Sequence, residues 1–131
     1  MTEPLIIDRQ EKYRLDLAWL EERLARLLAA LEVADRRLEV TLVDDVRISE
    51  LNERFFRKTG PTNVISFPAG PGEENVLGEV IISVETAGRE TGPLGYRLEE
   101  GLLYYLVHGV LHLVGYEHVG VPAARAAAMY A

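Results

Sequence analysis

The sequence predicts an α+β domain, in which a mixed sheet of a few strands packs with several helices. Three observations carry this. Short β-branched segments of strand length are interspersed with longer segments of helical period, and some of these elements are adjacent in sequence. The last strongly apolar helix is hydrophobic on most sides, which places it centrally against the sheet. The 131 residues are 48% hydrophobic with no repeat or interdomain linker, so they make one domain spanning residues 1–131.

The elements follow in order. Leu5-Ile6-Ile7 is a short strand. Residues 15–32 are helical, with Leu17, Leu20, Leu24, Leu27, Leu28 and Leu31 on one stripe and the pair Glu22–Arg26 on the wet side. Trp19 beside the stripe reads as core. Residues 38–43 alternate as a strand, and Asp44 or Asp45 can cap the next helix. That helix covers residues 46–56, with Ile48, Leu51 and Phe55 facing inward, and Gly60-Pro61 lies beyond it as a breaker. Asn63 to Phe67 is a third strand, stopped by Pro68. Residues 69–75, rich in Gly, Pro and Glu, form a loop. Residues 78–83 are a fourth strand, 84–90 a short helix, 92–95 a turn, and 98–114 the apolar helix. Pro122 starts a final helix through Tyr130.

Composition excludes several classes of function. With no cysteine, disulfides and thiolate ligands are absent, and any metal chemistry falls to histidines and carboxylates. The N-terminus lacks the pattern of a signal peptide, and no apolar run reaches the roughly 18 residues of a membrane span. A cytoplasmic protein without membrane contact is expected. The net charge of −7 argues against broad, non-specific nucleic-acid binding, so RNA contact needs a local basic patch or a metal.

All three histidines fall within residues 108–118, at H-x-x-x-H-x-x-G-x-x-H spacing. On a helix, His108 and His112 lie on one side, about one turn apart, and can share a metal ion. Gly115 can stop the helix and turn the chain so that His118 supplies a third nitrogen. Three neutral nitrogens leave the fourth position of a tetrahedral zinc ion open, the arrangement of a catalytic site. One such zinc ion lowers the pKa of its water to roughly 7, which points to metal-assisted hydrolysis. Zinc peptidases place a glutamate, their general base, directly after the first histidine. Gly109 stands there in this chain, which argues against peptide hydrolysis by that route and opens space beside the metal. Glu117 and Glu79 are the candidate replacement bases.

A second stretch, Arg54 to Pro68, carries three basic residues at a helix end followed by a polar loop that feeds a strand. Helix capping is the simplest account of the cations. The functional alternative is phosphate recognition by Arg54, Arg57 and Lys58. Ser66 is not a nucleophile, because no histidine is left to activate it.

Together these stretches resemble the YbeY family of bacterial metal-dependent endoribonucleases. The family pattern H-G-x-L-H-L-x-G-Y-[DE]-H fits His108 to His118, with Glu117 where aspartate is commoner. The P-T-[DN]-V-[LI]-S-F-P segment matches Pro61 to Pro68, the L-N pair matches Leu51-Asn52, and the G-[DE]-[IV]-x-I-S strand matches Gly78 to Ser83. The resemblance implies a mixed four-stranded sheet packed with helices and a zincin-like metal helix. It implies a zinc-dependent, single-strand-preferring endoribonuclease acting in ribosomal RNA processing, at the 3′ end of small-subunit RNA, and in ribosome quality control. His108, His112 and His118 would hold one zinc ion. Arg57 corresponds to the family's functional arginine, with Arg54 as the alternative because the family's spacing to the proline is one residue longer. Glu117 would join Arg57 as a catalytic residue. Arg54, Lys58, Asn63 and Ser66 would bind substrate. The partners would be single-stranded ribosomal RNA and the ribosome or its proteins, with no membrane and no small organic cofactor. The segment after His118 is shorter than is common in the family. Two alternatives stand beside this reading: a zinc hydrolase on another substrate such as a peptide, and a non-catalytic ribosome-assembly factor with a structural metal.

Overall fold

The computed structural model describes residues 5–119, with side chains through residue 115. The expected final helix at 122–130 lies outside the described residues. The elements are β1 (Ile6–Asp8), α1 (Leu17–Ala30), β2 (Arg37–Val43), α2 (Asp45–Phe56), β3 (Val64–Pro68), β4 (Val76–Ser83), α3 (Val84–Thr91), a 3₁₀ turn (Gly92–Leu94) and α4 (Leu98–Val119). The sheet is mixed and four-stranded, in the order β1-β2-β4-β3. β1, β2 and β4 run parallel, and β3 pairs antiparallel with β4 at the edge.

Alternation along the strands divides the core between the two faces. Val40, Leu42, Val64, Val80 and Ile82 pack with Leu20, Leu24 and Leu28 of α1 and with Leu102, Leu106, Val110 and Leu113 of α4. On the other face a smaller cluster joins Val43, Ile65 and Ile81 to Ile48 of α2, with Leu51, Phe56 and Phe67 partly buried against it. Trp19 is partly buried against the larger cluster, with the Arg23 guanidinium 3.9 Å from its ring centroid.

Helix starts are set by side chains. Asp44 caps α2 by accepting from Arg47 N at 2.8 Å, and Ser83 caps α3 by accepting from Thr86 N at 3.2 Å. Asp45 instead ties the two helix starts together, accepting from the Ser83 and Thr86 hydroxyls at 2.6 Å each and pairing with Arg89 at 2.8 Å.

Three local expectations change. β3 does stop at Pro68, but the proline is itself its last residue, in register with Gly78; an edge strand tolerates a residue that cannot donate. Phe55 does not face inward. It is 53% exposed, and Asn52 takes the buried position on α2, donating from Nδ2 to Gly60 O at 3.0 Å. Finally, α4 does not stop at Gly115. It continues to Val119, because helical backbone bonding satisfies the chain there and no positive φ is adopted at Gly115.

Candidate functional site

α4 lies directly on β3 and β4, and glycine makes this possible. A Cβ on Gly109 would stand 2.9 Å from Val80 Cγ1 and 3.1 Å from Ser66 Oγ. Gly78, at φ +149°, is pressed from both sides: a Cβ there would collide with the Phe67 carbonyl oxygen and reach 2.9 Å from Leu113 Cδ2. Gly109 therefore serves the contact of helix with sheet, and the expectation that it opens space beside a metal is corrected.

With Gly109 against the sheet, the neighbouring side of α4 carries His108 and His112, both half-buried. Their ring centroids are 4.3 Å apart. His108 Nε2 is buried and has no hydrogen-bond partner among the described residues. An unsatisfied buried nitrogen costs about 1–3 kcal/mol. Burial, and the neighbouring His112, hold the His108 imidazole below its ordinary pKa, so it stays neutral with a lone pair available. These features fit a metal ion as the missing partner. Among the described residues no three His, Asp or Glu side chains gather as a metal cage. The side chains of His118 and Glu117 lie outside the described residues. On the unbroken α4 backbone His118 is about 9 Å further along the axis than His112.

The remaining candidates are dispersed. Arg57 is the C-cap of α2 in the left-handed conformation, φ 54° and ψ 36°, and its side chain is exposed, as is that of Lys58. A bulky residue at positive φ is uncommon where glycine would serve at lower cost. Arg54 lines a groove on the α2 face of the sheet, together with Glu79. Glu79 is therefore on the opposite face from α4, since its neighbour Val80 is the residue that meets Gly109. It cannot serve as a base beside the histidines. Burial, and Glu39 across the strand pair, push its carboxyl up from the ordinary value. Ser66 is 3% exposed, with its hydroxyl 3.5 Å from Gly109 O. It sits under α4 rather than on a surface that a substrate could touch. Asn63 is tied back, donating to Glu90 Oε1 at 2.9 Å and accepting from Val64 N at 2.7 Å.

Sequence reasoning missed the residue that completes that tie. Tyr105 donates its hydroxyl to the same Glu90 oxygen at 2.5 Å, and burial together with this carboxylate pushes its phenol up to about 12. Tyr105 precedes His108 by three residues, close to one helical turn, so the spacing that flagged His112 could also have flagged it. The Tyr105–Glu90–Asn63 chain links α4, α3 and the start of β3. It fixes the loop entering the strand relative to the histidine helix.

Several known proteins resemble this chain. The family profile described as "Endoribonuclease YbeY" matches residues 6–130. Proteins named endoribonuclease YbeY are similar in Syntrophus aciditrophicus (35% identity over 118 residues, 86% of this chain and 74% of that protein) and in Geobacter metallireducens (37% over 131 residues, 96% and 87%). Another, from Aquifex aeolicus, is 44% identical over 93 residues, 70% of this chain and 62% of that protein. Among solved structures, the solution structure of TM1509 from Thermotoga maritima aligns with a TM-score of 0.57 and 31% identity, covering 85% of this chain and 73% of that one.

Proposed function

This chain belongs to the YbeY endoribonuclease family, and from that premise we propose that it hydrolyses single-stranded RNA with one zinc ion, in ribosomal RNA processing. The observation that carries the metal is the buried His108 Nε2 beside His112, without a hydrogen-bond partner among the described residues. His108 and His112 would hold the zinc, with His118 as the third ligand. When bound, zinc supplies a Lewis acid for the phosphodiester and an acidified water.

The chain's own residues do the rest. Burial keeps His108 neutral, the form that ligates. Arg57 and Lys58, exposed at the end of α2, meet phosphate oxygens, with the guanidinium offering a bidentate fork. Asn63, anchored through Glu90 to Tyr105, holds the loop before β3 in place as a strand of RNA is drawn across it. Glu117 is the candidate for moving a proton at the attacking oxygen. Small-subunit ribosomal RNA near its 3′ end, within the ribosome or its precursors, is the substrate this reading favours, with quality control of ribosomes as the second setting. No helix among the described residues is long and apolar enough to cross a membrane, and the reading places the work in the cytoplasm.

The test is cleavage of a labelled single-stranded ribosomal RNA fragment by protein as isolated, after chelation, after zinc is restored, and by His112→Ala. Activity lost with the metal, regained with zinc and absent in the variant supports the reading. Undiminished cleavage after chelation, or by the variant, overturns it.

A further inference from the structure

On the face of the sheet away from the histidines, α2 covers β3 and the middle of β4 and leaves an open groove of about 420 Å³. Its floor is Thr41, Val43 and Ile81, and three arginines stand around it: Arg9 after β1, and Arg47 and Arg54 on α2. Among the described residues none of these guanidinium groups forms an ion pair, in a chain whose net charge is −7. One wall is aromatic. Phe55, 53% exposed, meets Phe67 edge-on at 5.2 Å between centroids, and Arg54 lies 5.4 Å from the Phe55 ring centroid.

We propose that this groove is a second binding site for single-stranded RNA, remote from the histidines, in which Arg9, Arg47 and Arg54 hold phosphates and a base stacks on Phe55. The proposal rests on the ribonuclease reading above for the identity of its ligand. Charge complementarity selects a polyanion: converging arginines without carboxylate partners repel one another until an anion arrives. The exposed ring beside them selects an unpaired base, because a duplex hides its base faces while every single-stranded base offers one. Glu79 also lines the groove, and burial together with Glu39 raises its carboxyl from the ordinary value. Two separated contacts on one strand would let the protein hold RNA on one face of the sheet while the other face works on it.

The test uses the full chain kept metal-free with chelator, so that binding is read without cleavage. The probe is a fluorescein-labelled single-stranded oligoribonucleotide of about twelve nucleotides, followed by anisotropy across a salt series. The Arg9→Ala/Arg47→Ala double variant is expected to bind about tenfold or more weakly, with the slope of log affinity against log salt reduced by about 1.4, or 0.7 for each lost phosphate. Phe55→Ala is expected to weaken binding about tenfold with an unchanged slope. Arg26→Ala, on the far helix α1, should bind as the wild type does. Unchanged affinity and slope in the double variant overturn the proposal and turn attention to an acidic protein surface as the occupant. Equal competition by duplex RNA overturns the stacking role. Failure of the metal-loaded protein to cleave the same oligonucleotide would count against the ribonuclease reading alone, since the groove is read by binding.

Discussion

Alanine at position 109 measures how closely α4 lies on the sheet. Glycine inside a helix normally costs about 1 kcal/mol relative to alanine, so a free-standing helix would gain that much from the change. Here the new methyl carbon would fall 2.9 and 3.1 Å from the two methyls of Val80 and 3.1 Å from Ser66 Oγ. Val80 is fully buried and β-branched, so it cannot rotate out of the way, and relief must come from shifting the helix. Overpacking of this kind costs about 1–3 kcal/mol. The net expectation for Gly109→Ala is a loss of about 0–2 kcal/mol.

Gly115→Ala supplies the reference. It lies on the same helix with nothing within 4 Å of a new Cβ, so it keeps the propensity gain and is expected to stabilise by about 1 kcal/mol. The difference between the two variants isolates the contact with the sheet, at about 1–3 kcal/mol. Urea unfolding of the metal-free protein measures both, provided the slope m stays constant. If the two alanines stabilise equally, α4 stands off the sheet and the explanation of Gly109 fails.

Further expectations follow from other parts of the site. Arg57→Gly should relieve the left-handed C-cap and stabilise the protein by about 1 kcal/mol while lowering RNA cleavage, a pairing of opposite signs that unfolding and turnover assays would separate. Tyr105 should ionise at about 12 in an absorbance titration of the phenols, and Tyr105→Phe should remove that step. Because the folded form keeps this proton after the unfolded chain has released it, stability should fall as pH rises from about 10 toward 12, less steeply in the variant. Glu79→Gln should be more stable than the wild type at pH 7, because the raised carboxyl must release its proton against burial. That advantage should vanish below the ordinary value of 4.5, and an unfolding series across pH that showed no convergence would count against it. Ser66→Ala should change stability by less than about 1 kcal/mol and leave RNA binding unaltered, because its 3.5 Å contact is weak and inaccessible.

Much of the fold was legible because apolar period and turn chemistry act locally. The stripe of Leu20, Leu24 and Leu28 became the buried face of α1, and β2, β3 and β4 fell within two residues of their expected spans. The sequence was less informative wherever a long-range contact decided the outcome. Nothing local distinguishes Phe55 from Phe56, yet packing against the sheet turns one outward and leaves the other partly buried. Ser66 belongs to the motif that points to RNA, but alternation with Ile65 and Phe67 turns it under α4. Arg9 and Arg47 are distant in sequence and reach one groove only through the pairing of β1 with β2 and the packing of α2 on the sheet.

The same geometry narrows the search for a proton-transferring group. In zinc peptidases the residue after the first histidine is the general base, but here that position faces Val80 and Ser66 with no room even for a methyl group. A glutamate at 109 would drive a carboxylate into the contact between helix and sheet, which costs several kcal/mol unless it is paired. The glycine is thus a condition of the packing before it is a departure in chemistry. Glu79 is removed by the face it occupies, with the sheet between it and α4. Of the carboxylates the sequence suggested, Glu117 remains. Glu117→Gln should then lower the rate of RNA cleavage by about 10²–10⁴ while leaving zinc content intact. A variant that keeps full turnover would mean that the proton leaves by a route other than the Glu117 carboxylate.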